Sequence, residues 1–311
     1  MSRLASISAN PTLREFAQGA AQQSIMPVAD FLAPTVSVPT SVGSYKVYNE
    51  KNRFHIPNTL RSMGGRATEL RFDATDASYN CKPNALDYPV DNLEALEAAG
   101  LENMVKEGAM AIAEVAALSH EKAVIDAALA AVGAGTSKTW NSSADPVSDL
   151  DGAILDVIKV AGYGSLMGVG VLFGATAWQI FKNQQAVRGR FVSGSKGKDG
   201  FAVVTGENAG SLLLGQPDVR QSYMVYDSAP EGKTATNAFL LDTAVLIFAR
   251  KQKPTRRDPS FMKTFRLMGQ WMVPGSYMRD DGRVEVAKFD WSEHVAVTNS
   301  AAAIRYNISA S

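Results

Sequence analysis

Cysteine is nearly absent. Cys81 is the one cysteine in 311 residues, which excludes an internal disulfide and points to a reducing compartment. Histidine is scarce as well: His55, His120 and His294 are scattered, and His120-Glu121 lacks the second histidine of a zinc helix, so no metal site is expected. Net charge is missing, because 31 basic residues balance 31 acidic ones, and the chain as a whole is not a polyanion binder. No apolar stretch follows Met1-Ser-Arg-Leu4, so a secretory signal is not expected. Without one, the glycosylation patterns at Asn141 and Asn307 carry no weight. A long hydrophobic run is missing too. Lys159 to Lys182 is uncharged and long enough to cross a bilayer. Its glycines, with Ser165, Thr176 and Gln179, dilute it, and a buried strand followed by a helix reads better than a membrane span.

Catalytic signatures are also wanting. Gly164-x-x-x-Gly168-x-Gly170 has the glycine spacing of short-chain dehydrogenases, yet no tyrosine is followed four residues on by lysine. Glycines that let a strand pack closely are the better account. Gly232-Lys233-Thr234 ends like a phosphate-binding loop, but Asp227 stands where the first glycine should be. No catalytic residue, cofactor or metal is expected.

What is present is an ordinary globular composition, 46% hydrophobic and 20% charged, and one long helical pattern from Asp91 to Val132. Asp91 or Asn92 can cap its start. Leu101, Met104, Val105, Ile112, Val115, Leu118, Ile125 and Leu129 form its stripe, and Gly133 and Gly135 stop it. At 1.5 Å per residue this is a rod of roughly 60 Å. Gly100 and Gly108 mark candidate bends, and Gly108→Ala is expected to raise subunit stability by up to ~1 kcal/mol if the site is helical there.

Before the rod, residues 1–44 read as an arm: a short helix from Asn10-Pro11, then Pro27, Pro34 and Pro39 in extended composition. Residues 45–80 read as a hairpin, with Tyr45, Val47, Phe54 and Ile56 going out and Thr68, Leu70 and Phe72 returning. Arg53, Arg61 and Arg66 sit near its tip. A lone ribbon is marginal in water, so it must lie on its own body or on a neighbour. Beyond the rod come a helix opened by Asp149 or Asp151, a buried strand Val169–Phe173 and a helix Ala175–Asn183 burying Trp178 and Phe181. Strands follow at Phe201–Thr205, Ser222–Tyr226, Asn237–Phe248, Arg283–Phe289, His294–Thr298 and Ala303–Ile308. Arg250, Lys251, Lys253, Arg256 and Arg257 form a basic run that suits nucleic acid, acidic groups on a neighbouring subunit, or plain solvent. The class is α+β.

Three local patterns carry a resemblance. They are Gly170-Val-Leu-Phe-Gly-Ala-Thr-Ala-Trp178 leading to Asn183, the strand Asp242–Phe248, and Asp258-Pro-Ser-Phe-Met-Lys-Thr-Phe-Arg266. In this order, on a chain that runs arm, ribbon, rod and mixed body, the sequence resembles the major capsid proteins of tailed bacteriophages, the Hong Kong 97-like fold. The resemblance implies an N-terminal arm (1–44), an extended β-hairpin loop (45–90), a spine helix with peripheral domain (91–150) and an axial domain (151–258). It also implies peripheral return strands (259–298) and a C-terminal strand back in the axial domain (299–311).

It further implies a structural protein of the virion, self-assembling into hexamers and pentamers that form an icosahedral head. The head would be assembled in the bacterial cytoplasm and enclose double-stranded DNA without sequence-specific binding. Implied partners are other copies of itself, a separate scaffolding protein, a portal protein and a place for a decoration protein, with no membrane. Arg53, Phe54, Ile56, Arg61, Arg66, Leu70 and Phe72 are the expected inter-subunit contacts. Lys46 and Lys51 lie where some relatives carry a crosslinking lysine, but the partner asparagine and the catalytic glutamate have no match here. An encapsulin-type nanocompartment shares the implied fold, and a short-chain-dehydrogenase-like enzyme is the rival of a different class.

Overall fold

The computed structural model describes residues 28–48, 56, 58–69, 74–91, 101–161, 168–192, 204–256, 258–269 and 273–310. The expected helix at Asn10, the cap at Asn92, Gly100 and Arg257 lie outside these residues. The first part of the chain holds α1 (Val28–Leu32), β1 (Thr35–Val38), β2 (Val42–Tyr48), β3 (Ala74–Asn80), β4 (Lys82–Asp91), α2 (Leu101–Val132) and β5 (Thr136–Thr139). The middle holds α3 (Pro146–Ala161), β6 (Gly168–Phe173), α4 (Ala175–Asn183), α5 (Gln185–Val192), α6 (Gly206–Leu212), β7 (Asp218–Gln221), β8 (Val225–Asp227) and β9 (Asn237–Phe239). Then come β10 (Ala244–Arg250), β11 (Met262–Leu267), β12 (Val273–Met278), β13 (Val284–Val297) and β14 (Ala303–Ser309).

The apolar run Ala244-Val-Leu-Ile-Phe-Ala249 is buried throughout, because its sheet is covered on both faces. Val245, Ile247 and Ala249 point to one side, with Val171 and Phe173 of β6. Leu246 and Phe248 point to the other, with Leu172. The five strands run β5-β14-β10-β6-β7. The first face is closed by α3, α4 and α5, where Trp178 and Phe181 stack with ring centroids 5.7 Å apart and Phe173 lies 5.0 Å from Phe181. The second face is closed by α1 and the C-terminal half of α2, through Phe31, Val124, Ile125 and Ala128.

A second five-stranded sheet is built on β13, 14 residues long. It pairs with β11 from Glu293 to Val297, with β12 from Glu285 to Asp290, and with β4 from Val284 to Glu293. The parallel strand β1 extends this sheet on the far side of β11. The described end of the arm is therefore part of the body: Val28, Ala29, Phe31 and Leu32 are core residues, and Ala29 N–H donates to Glu121 of α2.

Several expectations are corrected. Asp91 is the last residue of β4, paired with Val284, and the helix is described from Leu101 onward. Strand β4 is mostly exposed and lacks apolar alternation, which hides it in the sequence. Thr205 ends no strand; its hydroxyl accepts the Asn208 N–H at 3.3 Å and caps α6. Asn237–Phe248 is broken at Asp242, whose carbonyl accepts the Ala177 N–H at 3.1 Å. Conversely, Arg283–Phe289 and His294–Thr298 are one strand, because β4 pairs across the gap. The helix stops at Gly133 as expected, in the left-handed region at φ 71°, with its N–H on Leu129 O.

The glycine-spaced segment is explained by packing. A Cβ at Gly170 would lie 2.9 Å from the ring tips of both Phe31 and Phe248. The N-terminus of α4 is filled by protein, since the Ala175 N–H donates to Leu241 O at 3.0 Å. No described helix is long and apolar enough to cross a membrane.

Two glycines in this region should respond in opposite directions to alanine. A Cβ at Gly174 would stand 2.2 Å from Asp242 O, so Gly174→Ala should lower stability by about 3 kcal/mol. Gly152, within α3, has open space around it, and Gly152→Ala should raise stability by up to ~1 kcal/mol. Urea unfolding of the dissociated subunit measures both.

Candidate assembly surface

The ribbon has two parts with different physics. Its base, β2 paired with β3 from Val42↔Asn80 to Tyr48↔Ala74, rests on its own subunit. Tyr45 and Tyr79 lie against Phe265, with ring centroids 5.2 and 4.8 Å away, and join a cluster with Val36, Val38 and Cys81. Of the two supports open to the ribbon, its own body or a neighbour, the base takes the first.

The tip has no such cover. Ile56 is 89% exposed, Leu60 88%, and Met63 completely. Hydrogen bonds hold the tip together: Leu60 N–H donates to Asn58 Oδ1 at 3.0 Å, Arg61 Nη1 to Gly65 O at 3.2 Å, and the Thr68 hydroxyl to Asn58 O at 3.1 Å. It is an ordered loop that carries apolar side chains into water. Arg61 and Arg66 are exposed beside them. Of the other expected contacts, Arg53, Phe54, Leu70 and Phe72 lie outside the described residues. Leu60 and Met63 were missed because neither belongs to an alternating run. Their signal was two large apolar residues inside a segment otherwise made of turn formers.

The inner face of α2 differs from the expected stripe. Ile112 and Ile125 are buried, but Val115 is 56% exposed, and the residues that line the contact are Ala109, Ala113 and Ala116. The helix runs unbroken through Gly108, which is itself buried. A Cβ there would come within 2.3 Å of the Tyr88 ring of β4. Gly108 is therefore a point of close approach, and an alanine there displaces the Tyr88 ring.

Farther along α2, charged groups are buried where α1, α2 and the second sheet meet. His120 Nδ1 stands 2.9 Å from Glu293 Oε1, and Arg266 Nη2 donates to Glu293 Oε2 at 3.2 Å. Burial alone would raise the Glu293 carboxyl, but His120 and Arg266 hold it below its ordinary value. Glu121 is different. Burial pushes its pKa to about 7, against the N–H of Ala29, which donates to Oε1 at 2.9 Å, and the charge of His120. Its Oε2 is buried without a hydrogen-bond partner among the described residues.

The basic run is not one patch. Arg250 Nη1 pairs with Asp218 at 3.0 Å, and its guanidinium stacks 4.4 Å from the Phe31 ring centroid. Lys251 and Lys253 line a cleft of about 460 Å³. Arg256 lies 5.9 Å from the Tyr79 ring centroid at the ribbon base. Among the described residues, no cluster of His, Cys, Asp and Glu is placed to hold a metal ion.

Two sheets joined by a long helix, with a ribbon based on the second sheet, have the Hong Kong 97-like fold of capsid proteins. Solved structures share it. A phage-related protein from Bordetella bronchiseptica RB50 superposes with a TM-score of 0.69 at 16% identity, over 96% of this chain and 97% of that one. The mature capsid of bacteriophage PhiM1 gives 0.55 at 11% identity, covering 88% and 85%. The SrpI encapsulin complex of Synechococcus elongatus PCC 7942 gives 0.55 at 12% identity, covering 92% and 88%. No protein-family model and no curated protein matches the sequence.

Two tests follow from the α2 contacts. Gly108→Ala should lower stability by about 1–3 kcal/mol through its clash with Tyr88, and pairing it with Tyr88→Ala should restore part of the loss in a double-mutant cycle. For Glu121, a folded pKa of about 7 above an ordinary 4.5 means the folded state binds the extra proton. Its contribution is thus fully present below pH 4.5, is lost as pH rises toward 7, and amounts to about 3 kcal/mol. Glu121→Gln keeps the acceptor for Ala29 and should flatten urea-measured stability between pH 5 and 7.

Proposed function

We propose that this chain is the major capsid protein of a tailed bacteriophage, forming hexamers and pentamers that close into an icosahedral head around double-stranded DNA. The observation that carries the reading is the ribbon tip, where an ordered loop holds Ile56, Leu60 and Met63 in water on a chain with a capsid fold. Apolar side chains kept exposed on an ordered loop suit a partner. A shell of identical copies supplies the same cover to every tip at once. In this reading α2 is the spine, the sheet around β13 the peripheral domain, the sheet around β10 the axial domain, and the ribbon the extended loop. Arg61 and Arg66 would meet carboxylates next door, adding specificity more than affinity. A separate scaffolding protein and a portal protein would complete the assembly.

A second reading is an encapsulin-type nanocompartment, because the Synechococcus encapsulin superposes as well as the PhiM1 capsid does. Contents separate the two: packaged DNA supports the head, and a protein cargo the compartment.

Electron micrographs of the purified protein, with and without scaffolding protein, should show closed shells. A monodisperse monomer at high concentration in both would overturn the reading. Leu60→Asp with Met63→Asp should leave the circular dichroism and thermal midpoint of the dissociated subunit unchanged. Closed shells should give way to open or aberrant assemblies, since an interface of roughly 1,000 Å² would lose its apolar centre.

A further inference from the structure

A cleft opens where three segments of the axial-side sheet meet: the start of β6, the loop before β7 and the exit of β10. The one carboxylate among its described lining residues is Asp218, and Arg250 already occupies it at 3.0 Å. Lys251 and Lys253 on the same wall form no ion pair among the described residues. The cleft therefore carries uncompensated positive charge in a chain whose total charge is zero.

Arg250 is itself held in place and short of partners. Its side chain is largely buried over the Phe31 ring, which it shares with Arg220, whose guanidinium lies 4.9 Å from the same centroid. Its Nε is buried without a hydrogen-bond partner among the described residues. Burial pushes the guanidinium below its usual range, with Asp218 opposing and Arg220 reinforcing the shift. An anion in the cleft would offset the positive charge that Arg250 and Arg220 hold against one another. Gln216 and Gln252 add neutral amide donors to the walls.

We propose that this cleft binds backbone phosphate of a nucleic acid, reading charge and not sequence. The described lining contains no aromatic ring on which a base could stack. About 460 Å³ admits a phosphate with its waters but no duplex. A duplex would therefore lie across the mouth and present one strand's backbone, the kind of contact that positions without specifying. The inference rests on the shell reading only for where such a polymer would be met.

The experiment measures anisotropy of two labelled DNA duplexes of unrelated sequence with the dissociated full-length chain, across a salt series. Lys251→Ala with Lys253→Ala should weaken both duplexes equally, by about tenfold at low salt, and reduce the log–log salt slope by about 2. Lys251→Arg with Lys253→Arg should retain binding, and both variants should keep the wild-type thermal midpoint. Unchanged affinity and slope in the alanine variant would overturn the proposal. So would competition by inorganic phosphate at concentrations too low to act through ionic strength, which would make this a small-anion site. Micrographs of the same preparations report on shells separately: if none forms, the shell reading fails, while the duplex result still decides whether the cleft binds nucleic acid.

Discussion

The close approach of α2 to β13 is the contact on which the subunit depends. Alanines at 109, 113 and 116 let the helix settle on Ala287, Phe289 and Trp291 at a distance that larger side chains would forbid. Half the helix later, Val124, Ile125 and Ala128 face the other sheet, together with Leu246, Phe248 and Phe261. One rigid element thus touches both cores, and each sheet is positioned relative to the other through it. Its outer face, including the exposed Val115, stays open to solvent along the whole described length.

Charge is buried in a manner that supports the same geometry. Lys263 is fully buried with Nζ 2.7 Å from Asp258 O and 3.3 Å from the Asp258 carboxylate, which also binds Ser260. Burial would raise that carboxyl, yet Ser260 and Lys263 hold it below its ordinary value. Glu293 is held in the same way between His120 and Arg266. Such pairs contribute little over a well-packed apolar alternative, but losing one partner strands a charge, so they favour a single arrangement of strand and helix. Glu121, with one oxygen that has no hydrogen-bond partner among the described residues, is the weak member of this set.

Much of this was legible in the residues. Ala175–Asn183 with its buried Trp178 and Phe181, the strand ending at Phe173, and the stop at Gly133 follow from periodicity and glycine chemistry. The motif from Asp258 to Arg266 proved to be a capped turn with a buried ion pair leading into β11. What escaped was set by tertiary context. Strand β4 has polar, exposed side chains, and its place is fixed only by the edge of β13. The alanine face of α2 gives a weaker hydrophobic signal than the leucines and valines beside it, so periodicity places the exposed Val115 on the inner face. At the tip, Ile56 follows from alternation and Arg61 and Arg66 from their charge, while Leu60 and Met63 belong to no run. Gly108 reads as a candidate bend from glycine's low helix propensity, and its close approach to Tyr88, twenty residues away in sequence, is invisible to helical periodicity.

The long strand β13 also sets a schedule. Ser292 donates to the carbonyl of Cys81 across a separation of 211 residues, and Thr264 to that of Ala33 across 231. Contacts this far apart make for slow folding, because loop closure precedes any reward. During synthesis, β1 and the ribbon base have no sheet to join until β11 has been made. The base on which the exposed tip stands is consequently complete only once nearly the whole chain exists, so the ribbon is among the last parts to settle by topology alone.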